Sequence, residues 1–298
     1  AERDQAIDQL VDRVRWLLLH RVLVGAVNLM HRNRILTVLR HYPWELMGGA
    51  TPMADDVARQ LAAQRQIGTW NGVAALYGTR RQVAAARAEI RRVLKGSVDR
   101  LAFVSEAKLR LARRFPRLVK LATGMDVGQL LAAVEPALGI VKGKPNAVSL
   151  NTCWWRSKRP PPTTMPDPHE HGCGVIWFSP VIPMTAGHLR EFRQLAEPIL
   201  AKYRFDCCIT LTAVNPRAFD CTLPVLYDPD DPQDAKRAAD CHRELLSACA
   251  AAGYLPYRVD IHSMPLLTSE ASVFWNLCRR LKDALDPHHL LAPKRYEV

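Results

Sequence analysis

At 298 residues, 48% hydrophobic and 23% charged, the chain holds enough apolar material for one large core or two smaller ones, which excludes a disordered or fibrous protein. No apolar run approaches the ~20 residues that cross a bilayer, and the polar start AERDQAID does not resemble a secretory signal, so a cytoplasmic, non-membrane protein is expected. The formal net charge of +12 comes from the first half: residues 1–150 carry 24 Lys/Arg against 12 Asp/Glu, and residues 151–298 carry 17 against 17.

The first apolar stretch, Trp16 to Leu19 and Val22 to Ala26, is broken by His20 and Arg21. Residues 42–55 read as irregular, with Pro43, Gly48, Gly49 and Pro52. A strand at 71–77, a helix at 80–94 and a strand at 98–104 follow. Residues 80–120 hold 13 basic and 3 acidic side chains, a field that would attract nucleic acid, an acidic partner or an anionic cofactor. Only Phe103 and Phe115 are there to stack on bases, which argues against a single-strand reader and for a solvated arginine-rich face.

Residues 157–174, with five prolines, read as a long ordered loop or hinge. Beyond it the periodicity predicts a strand at 174–181, a helix at 185–202, strands at 207–214 and 219–227, a helix at 231–252 and a strand at 255–260. That β-α-β-β-α-β order is the ferredoxin-like arrangement, with both helices on one sheet face. Asp231-Pro232 starts the second helix and Gly253 stops it. The expected fold class is α+β: an extended antiparallel sheet flanked by helices, with ferredoxin-like units over about 1–150 and 174–260 sharing the sheet, and a helix and tail over 272–298.

Eight cysteines form no CxxC pair and no zinc-spaced Cys/His cluster, and Cys241, Leu245 and Cys249 recur as an apolar helix face. The histidines at 169, 171, 288 and 289 sit in proline-flanked turns and imply no metal. Neither GxGxxG nor GxxxxGK[ST] is present to cradle a nucleotide phosphate.

The tail LKDALDPHHLLAPKRYEV at 281–298 resembles the C-terminal run of the vanillyl-alcohol oxidase and 4-cresol dehydrogenase flavoproteins, close to K-x-A-x-DPN-x-ILAPGR, with Lys294 in place of the glycine. TWNGVAALYGT at 69–79, GVIWFSPVIP at 174–183, VLYDPDDPQDAKRAADC at 225–241 and GYLPYRVD at 253–260 match in the family's order. The resemblance covers the substrate, or cap, domain over 1–298. It implies FAD as cofactor; the family's FAD-binding domain of about 200 residues is expected on another polypeptide, since the substrate-domain motifs survive, the alternatives being a fragment or a chain that has lost flavin use. Other implied partners are a small-molecule substrate and an electron-acceptor protein.

By that resemblance Tyr257 and Arg258 lie beside the flavin ring, Tyr257 to hydrogen-bond a phenol oxygen and Arg258 to stabilise negative charge. Arg295 would bind phenolate, Trp177 the substrate, and Trp155 the cofactor. Cys153 falls at the flavin-linking tyrosine of the cresol enzyme, and Val175 at the flavin-linking histidine of the oxidase. The cresol enzyme's proton-transfer glutamate and histidine fall on Leu211 and Asp220, leaving Asp220 as the candidate base. The chemistry implied is oxidation of a phenolic or benzylic substrate by hydride transfer to FAD. The competing readings are a non-catalytic scaffold or regulatory relative, and a basic nucleic-acid-binding protein. With no pyrophosphate cradle in the sequence, residues 1–298 alone are expected to bind FAD weakly; equilibrium dialysis showing tight one-to-one binding would overturn that expectation.

Overall fold

A computed structural model describes residues 5–117, 121, 128, 135–136, 138–159, 167–168, 170–268 and 272–296. The loop prolines 160, 161, 162 and 166 and His169 lie outside the described residues. Helices α1 Gln5–Leu19, α2 Arg32–Leu39, α3 Trp44–Met47, α4 Asp55–Ala63, α5 Arg80–Leu94 and α6 Glu106–Arg114 belong to the first half. The second half holds α7 Ala186–Lys202, α8 Pro232–Ala251, α9 Met264–Thr268 and α10 Val273–Leu285. No described helix is long and apolar enough to cross a membrane.

Six strands form the sheet: β1 Val27–His31, β2 Trp70–Ala74, β3 Val175–Phe178, β4 Val181–Pro183, β5 Thr210–Ala213 and β6 Ala218–Leu226. The order is β2-β1-β5-β6-β3, with β4 also on β6, and each pairing is antiparallel. Strand periodicity puts Phe219, Cys221, Leu223 and Val225 of β6 on one face, in the core with Leu29, Leu211, Ile182 and Phe178. Helices cover that face. Ile7, Leu10, Val11, Val14, Leu17 and Leu18 recur along α1 at helical spacing, and Leu189, Phe192, Ala196 and Leu200 do so along α7. Ala238, Cys241, Leu245 and Cys249 of α8 enter the same cluster, so α7 and α8 share one sheet face as the ferredoxin-like pattern predicts. Glu244 of α8 clamps the pair, accepting from Lys202 Nζ at 2.6 Å and Tyr203 Oη at 2.8 Å.

Local signals fix α8. Asp231 accepts from the backbone N–H groups of Gln233 and Asp234, Pro232 takes the first turn, and Gly253 at φ +82 ends the helix. Gly174 has a different reason: a Cβ there would sit 1.8 Å from the Tyr227 carbonyl oxygen, where β3 closes on the end of β6.

A second core holds Leu36, Tyr42, Met53, Leu61, Cys208 and Leu226 around Trp155. Its polar centre is Asp206, which accepts from Met53 N at 2.7 Å and from Trp155 Nε1 at 3.1 Å. Burial pushes the Asp206 carboxyl pKa up, and those two donors and Arg156 oppose the rise. Arg156 is buried, with its guanidinium 5.0 Å from the Phe205 ring centre and its Nε 3.8 Å from Asp234.

Four features depart from the expectations. The strand predicted at 174–181 divides into β3 and β4 around Ser179-Pro180. The strand predicted at 255–260 shrinks to one bridge, Pro180 to Pro256, flanked by Val181 N to Leu255 O at 2.9 Å and Tyr257 N to Ser179 O at 3.2 Å. Proline supplies no N–H for a continuing ladder, and Asp260 draws the chain into a turn by accepting from His262 N and Ser263 N. Residues 98–104 form no strand; the Phe103 ring lies 4.9 Å from the guanidinium carbons of both Arg87 and Arg91, so it is taken by cation–π contacts. Helices α1, α2, α3, α4, α6 and α9 and strand β1 went unforeseen.

Because Trp155 Nε1 supplies one of the two hydrogen bonds to a fully buried carboxylate, Trp155→Phe should cost about 1–3 kcal/mol. Urea denaturation of the variant at pH 7 checks this; an unchanged midpoint would contradict it.

Candidate active-site cleft

The sheet face opposite the helices is mostly polar, except where Val175 and Leu226 meet the second core. Met30 and Asn28 of β1, Thr210 and Thr212 of β5, and Asp220 and Thr222 of β6 are half-buried upon it. Thr212 Oγ1 donates to Asn28 Oδ1 at 2.7 Å. At the β3 edge this face runs into a cleft of about 930 Å³. That volume suits a small molecule. Three elements build it: β3 with Trp177, the segment carrying Tyr257, Arg258 and Asp260, and α8 with His242 and Arg243.

The structure brings Trp177, Tyr257 and Arg258 together in this cleft. Trp177 is 47% exposed and Tyr257 51%, so both rings are available to a ligand. Consecutive residues in a strand would point to opposite faces. Here the backbone has left the ladder, and the Arg258 guanidinium carbon lies 5.3 Å from the Tyr257 ring centre. The two side chains therefore form a cation–π pair instead of pointing to opposite faces.

Asp220 lies on the open face, paired across the sheet with Thr212 and Val181 and two residues along β6 from Thr222 of the cleft lining. Its Oδ1 is buried and has no hydrogen-bond partner among the described residues. Burial raises its pKa, and the nearby Arg258 cation opposes the rise.

Arg295 does not line the cleft. Its neighbour Tyr296 does reach the segment below, accepting from Val259 N at 3.3 Å and stacking on Trp275 with ring centres 6.1 Å apart. Trp155 is corrected more firmly. It is wholly buried with its N–H spent on Asp206, leaving no ring surface for a cofactor. Cys153 is buried in the 3₁₀ helix Val148–Trp154, hydrogen-bonded to Cys173, and burial pushes its thiol up to about 11. That environment suppresses the thiolate a covalent flavin link would need. Leu211 is a core residue.

Sequence reading missed His242, Arg243, Asp260 and Ser263. One signal existed: His242 sits four residues after Ala238 on the buried stripe of α8, a polar side chain at a core position. It is 7% exposed, packs edge-on to Phe178 with ring centres 6.0 Å apart, and burial lowers its pKa.

No family model matches. The 1'-carboxy-chondrochloren decarboxylase of Chondromyces crocatus is 31% identical over 297 residues, which is 99% of this chain and 54% of that protein. The flavoprotein subunit of 4-cresol dehydrogenase (hydroxylating) from Pseudomonas putida is 29% identical over 252 residues, 83% of this chain and 40% of that subunit. Among solved structures, p-cresol methylhydroxylase with substrate bound superposes with a TM-score of 0.75 at 25% identity, over 97% of this chain and 50% of that one. The 4-ethylphenol oxidase of Gulosibacter chungangensis, in its isoeugenol complex, gives 0.73 at 20% identity over 94% and 49%. The chain spans about half the length of the relatives it matches.

The raised carboxyl of Asp220 has a sign that can be tested. A carboxyl whose folded pKa exceeds its unfolded value of ~3.9 costs nothing while protonated in both states, and destabilises the fold as pH rises through the folded pKa. Asp220→Asn should therefore be the more stable protein at pH 7, by less than about 1 kcal/mol because solvent and Arg258 screen the charge. Thermal unfolding from pH 7 down to pH 3 should show that advantage shrinking; a constant or reversed difference would refute the assignment.

Proposed function

On the kinship of this chain with the flavoproteins of the vanillyl-alcohol oxidase and 4-cresol dehydrogenase family, its homologues and structural neighbours, we propose that residues 1–298 act as the substrate domain of a flavin-dependent oxidoreductase. The substrate is phenolic or benzylic, and FAD is held mainly by another polypeptide. One observation carries the reading. Tyr257 and Arg258, singled out by the motif PYRVD, are the stacked and exposed pair at a cleft of ligand size, next to a carboxylate with an unpartnered buried oxygen.

The residues present fit a flavin ring laid over this face. Arg258 is the cation that would meet it, and the exposed rings of Trp177 and Tyr257 offer planar apolar surface. FAD, when bound, would accept the hydride leaving the benzylic carbon. The chain's own groups prepare the substrate. Tyr257 Oη hydrogen-bonds the phenol oxygen, and the Arg258 guanidinium favours the phenolate by stabilising its charge, lowering a pKa that is ~10 in water. Asp220, partly desolvated and with no hydrogen-bond partner on Oδ1 among the described residues, would serve as the base that takes the phenol proton. An electron-acceptor protein would complete the cycle.

In the assembled complex, stopped-flow flavin reduction with para-substituted phenols tests these roles. Tyr257→Phe should slow reduction ~10- to 100-fold, the equivalent of about 1.4 to 2.7 kcal/mol. Arg258→Ala should cost more, because developing charge then lacks a counter-ion. Unchanged rates in both variants would favour a non-catalytic scaffold.

A further inference from the structure

We propose that the α8 end of the cleft is a subsite for a carboxylate carried on an aromatic ligand, bound by His242 and Arg243 while the ring lies against Trp177 and Tyr257. The inference rests on the reading of the cleft as the substrate site. His242 is the first ground. Its ring lines the cleft, is more than nine-tenths buried, and makes no hydrogen bond among the described residues. Neither ring nitrogen is among the buried polar atoms left without a partner, so the imidazole turns its hydrogen-bonding edge to the open space of the cleft, where a ligand can meet it.

The charges around it point to an anion. Arg243 and Arg258 line the cleft, together with His262. Asp260 is the acidic group of the lining, and its carboxylate is already engaged: Ser263 Oγ donates to it at 2.7 Å, and the backbone N–H groups of His262 and Ser263 at 2.9 and 3.2 Å. Burial works against its charge, but these donors hold its pKa below the ordinary range. Arg243 meets Asp240 at 3.0 Å on the outer side of α8, an exposed pair that solvent screens. The guanidinium of Arg243 and one N–H of His242 can each donate to a carboxylate, which has four lone-pair sites for them. Trp177 and Tyr257, the large exposed rings, give the other end of the ligand its apolar contact.

Histidine-ring NMR of the purified protein, titrated with 4-hydroxyphenylacetate and with 4-methylphenol, tests the subsite. The acid should bind about tenfold more tightly than the neutral phenol, as a charge-assisted hydrogen bond implies. It should also raise the pKa of the His242 ring, because the charges acting on that ring, Asp260 and Arg243, and the other titratable groups of the lining, Arg258 and His262, are present in both states and the carboxylate is the added charge. Arg243→Gln, an exposed change that leaves the fold alone, should weaken the acid about tenfold and the phenol far less. Equal affinity for the two ligands, or a His242 resonance that ignores the acid, overturns the subsite, while phenol binding sensitive to Tyr257→Phe would still uphold the substrate cleft. Acid binding at His242 that Tyr257→Phe leaves untouched, with no phenol binding, keeps the subsite and removes the substrate reading. Binding of neither probe, or of inorganic phosphate as tightly as the acid, also overturns it.

Discussion

Antiparallel pairing of β1 with β5, which sets Val27 against Ala213 and Met30 against Thr210, is the contact on which the rest of the molecule depends. It joins segments from opposite ends of the chain and turns two small sheets into one. Closing so long a loop is less expensive than it looks, since each doubling of length adds only about 0.6 kcal/mol. Burial of Leu29 and Leu211 on the shared face, at ~1.5–3 kcal/mol for each fully buried leucine, more than offsets that increment. With α1, α5, α7 and α8 packed on this single face, the opposite one carries Asn28, the threonines of β5, Asp220 and Thr222, and meets the second core at Val175 and Leu226.

The cleft exists because the sheet stops there. Pro180 divides the edge strand, Pro256 ends the bridge to it, and Asp260 turns the chain away toward α9. A full strand at 255–260 would have continued the ladder and placed Tyr257 and Arg258 on opposite faces. Interrupted, the segment instead leaves an open edge and holds both side chains over it. The resemblance to the flavoprotein relatives extends over the fold, and this local break gives the motif PYRVD its geometry.

Two ways of treating charge are visible. In the second core the Asp206 carboxyl is buried with donors from Met53 and Trp155 and with Arg156 beside it, so both of its oxygens are met inside the protein. In the cleft the pattern is unfinished: Asp220 Oδ1 has no hydrogen-bond partner among the described residues, and His242 lines the space that a ligand would fill. The first arrangement ties α8 to the segment around Trp155 and Arg156, while the second leaves polar atoms free to meet a ligand. The arginine-rich first half behaves as a surface, with Arg87 and Arg91 over Phe103 and Arg92 over Trp16.

By itself the sequence determined what depends on neighbours in the chain. Helical periodicity located α5, α7, α8 and α10, the Asp231-Pro232 cap and Gly253 bounded α8, and alternation marked β5 and β6, because these signals act over a few residues. The ordered motifs pointed to the family and to Tyr257, Arg258 and Trp177. Only the tertiary structure decided which of those side chains meet. Trp155 and Cys153 are adjacent to polar sequence yet buried by packing from distant segments, and β1 is too short to announce itself but becomes central through β5. His242 reads as one more residue of a helix; its empty hydrogen-bonding capacity appears only when β3 and the turn after Tyr257 close around it, since burial and partnership are properties of the assembled chain.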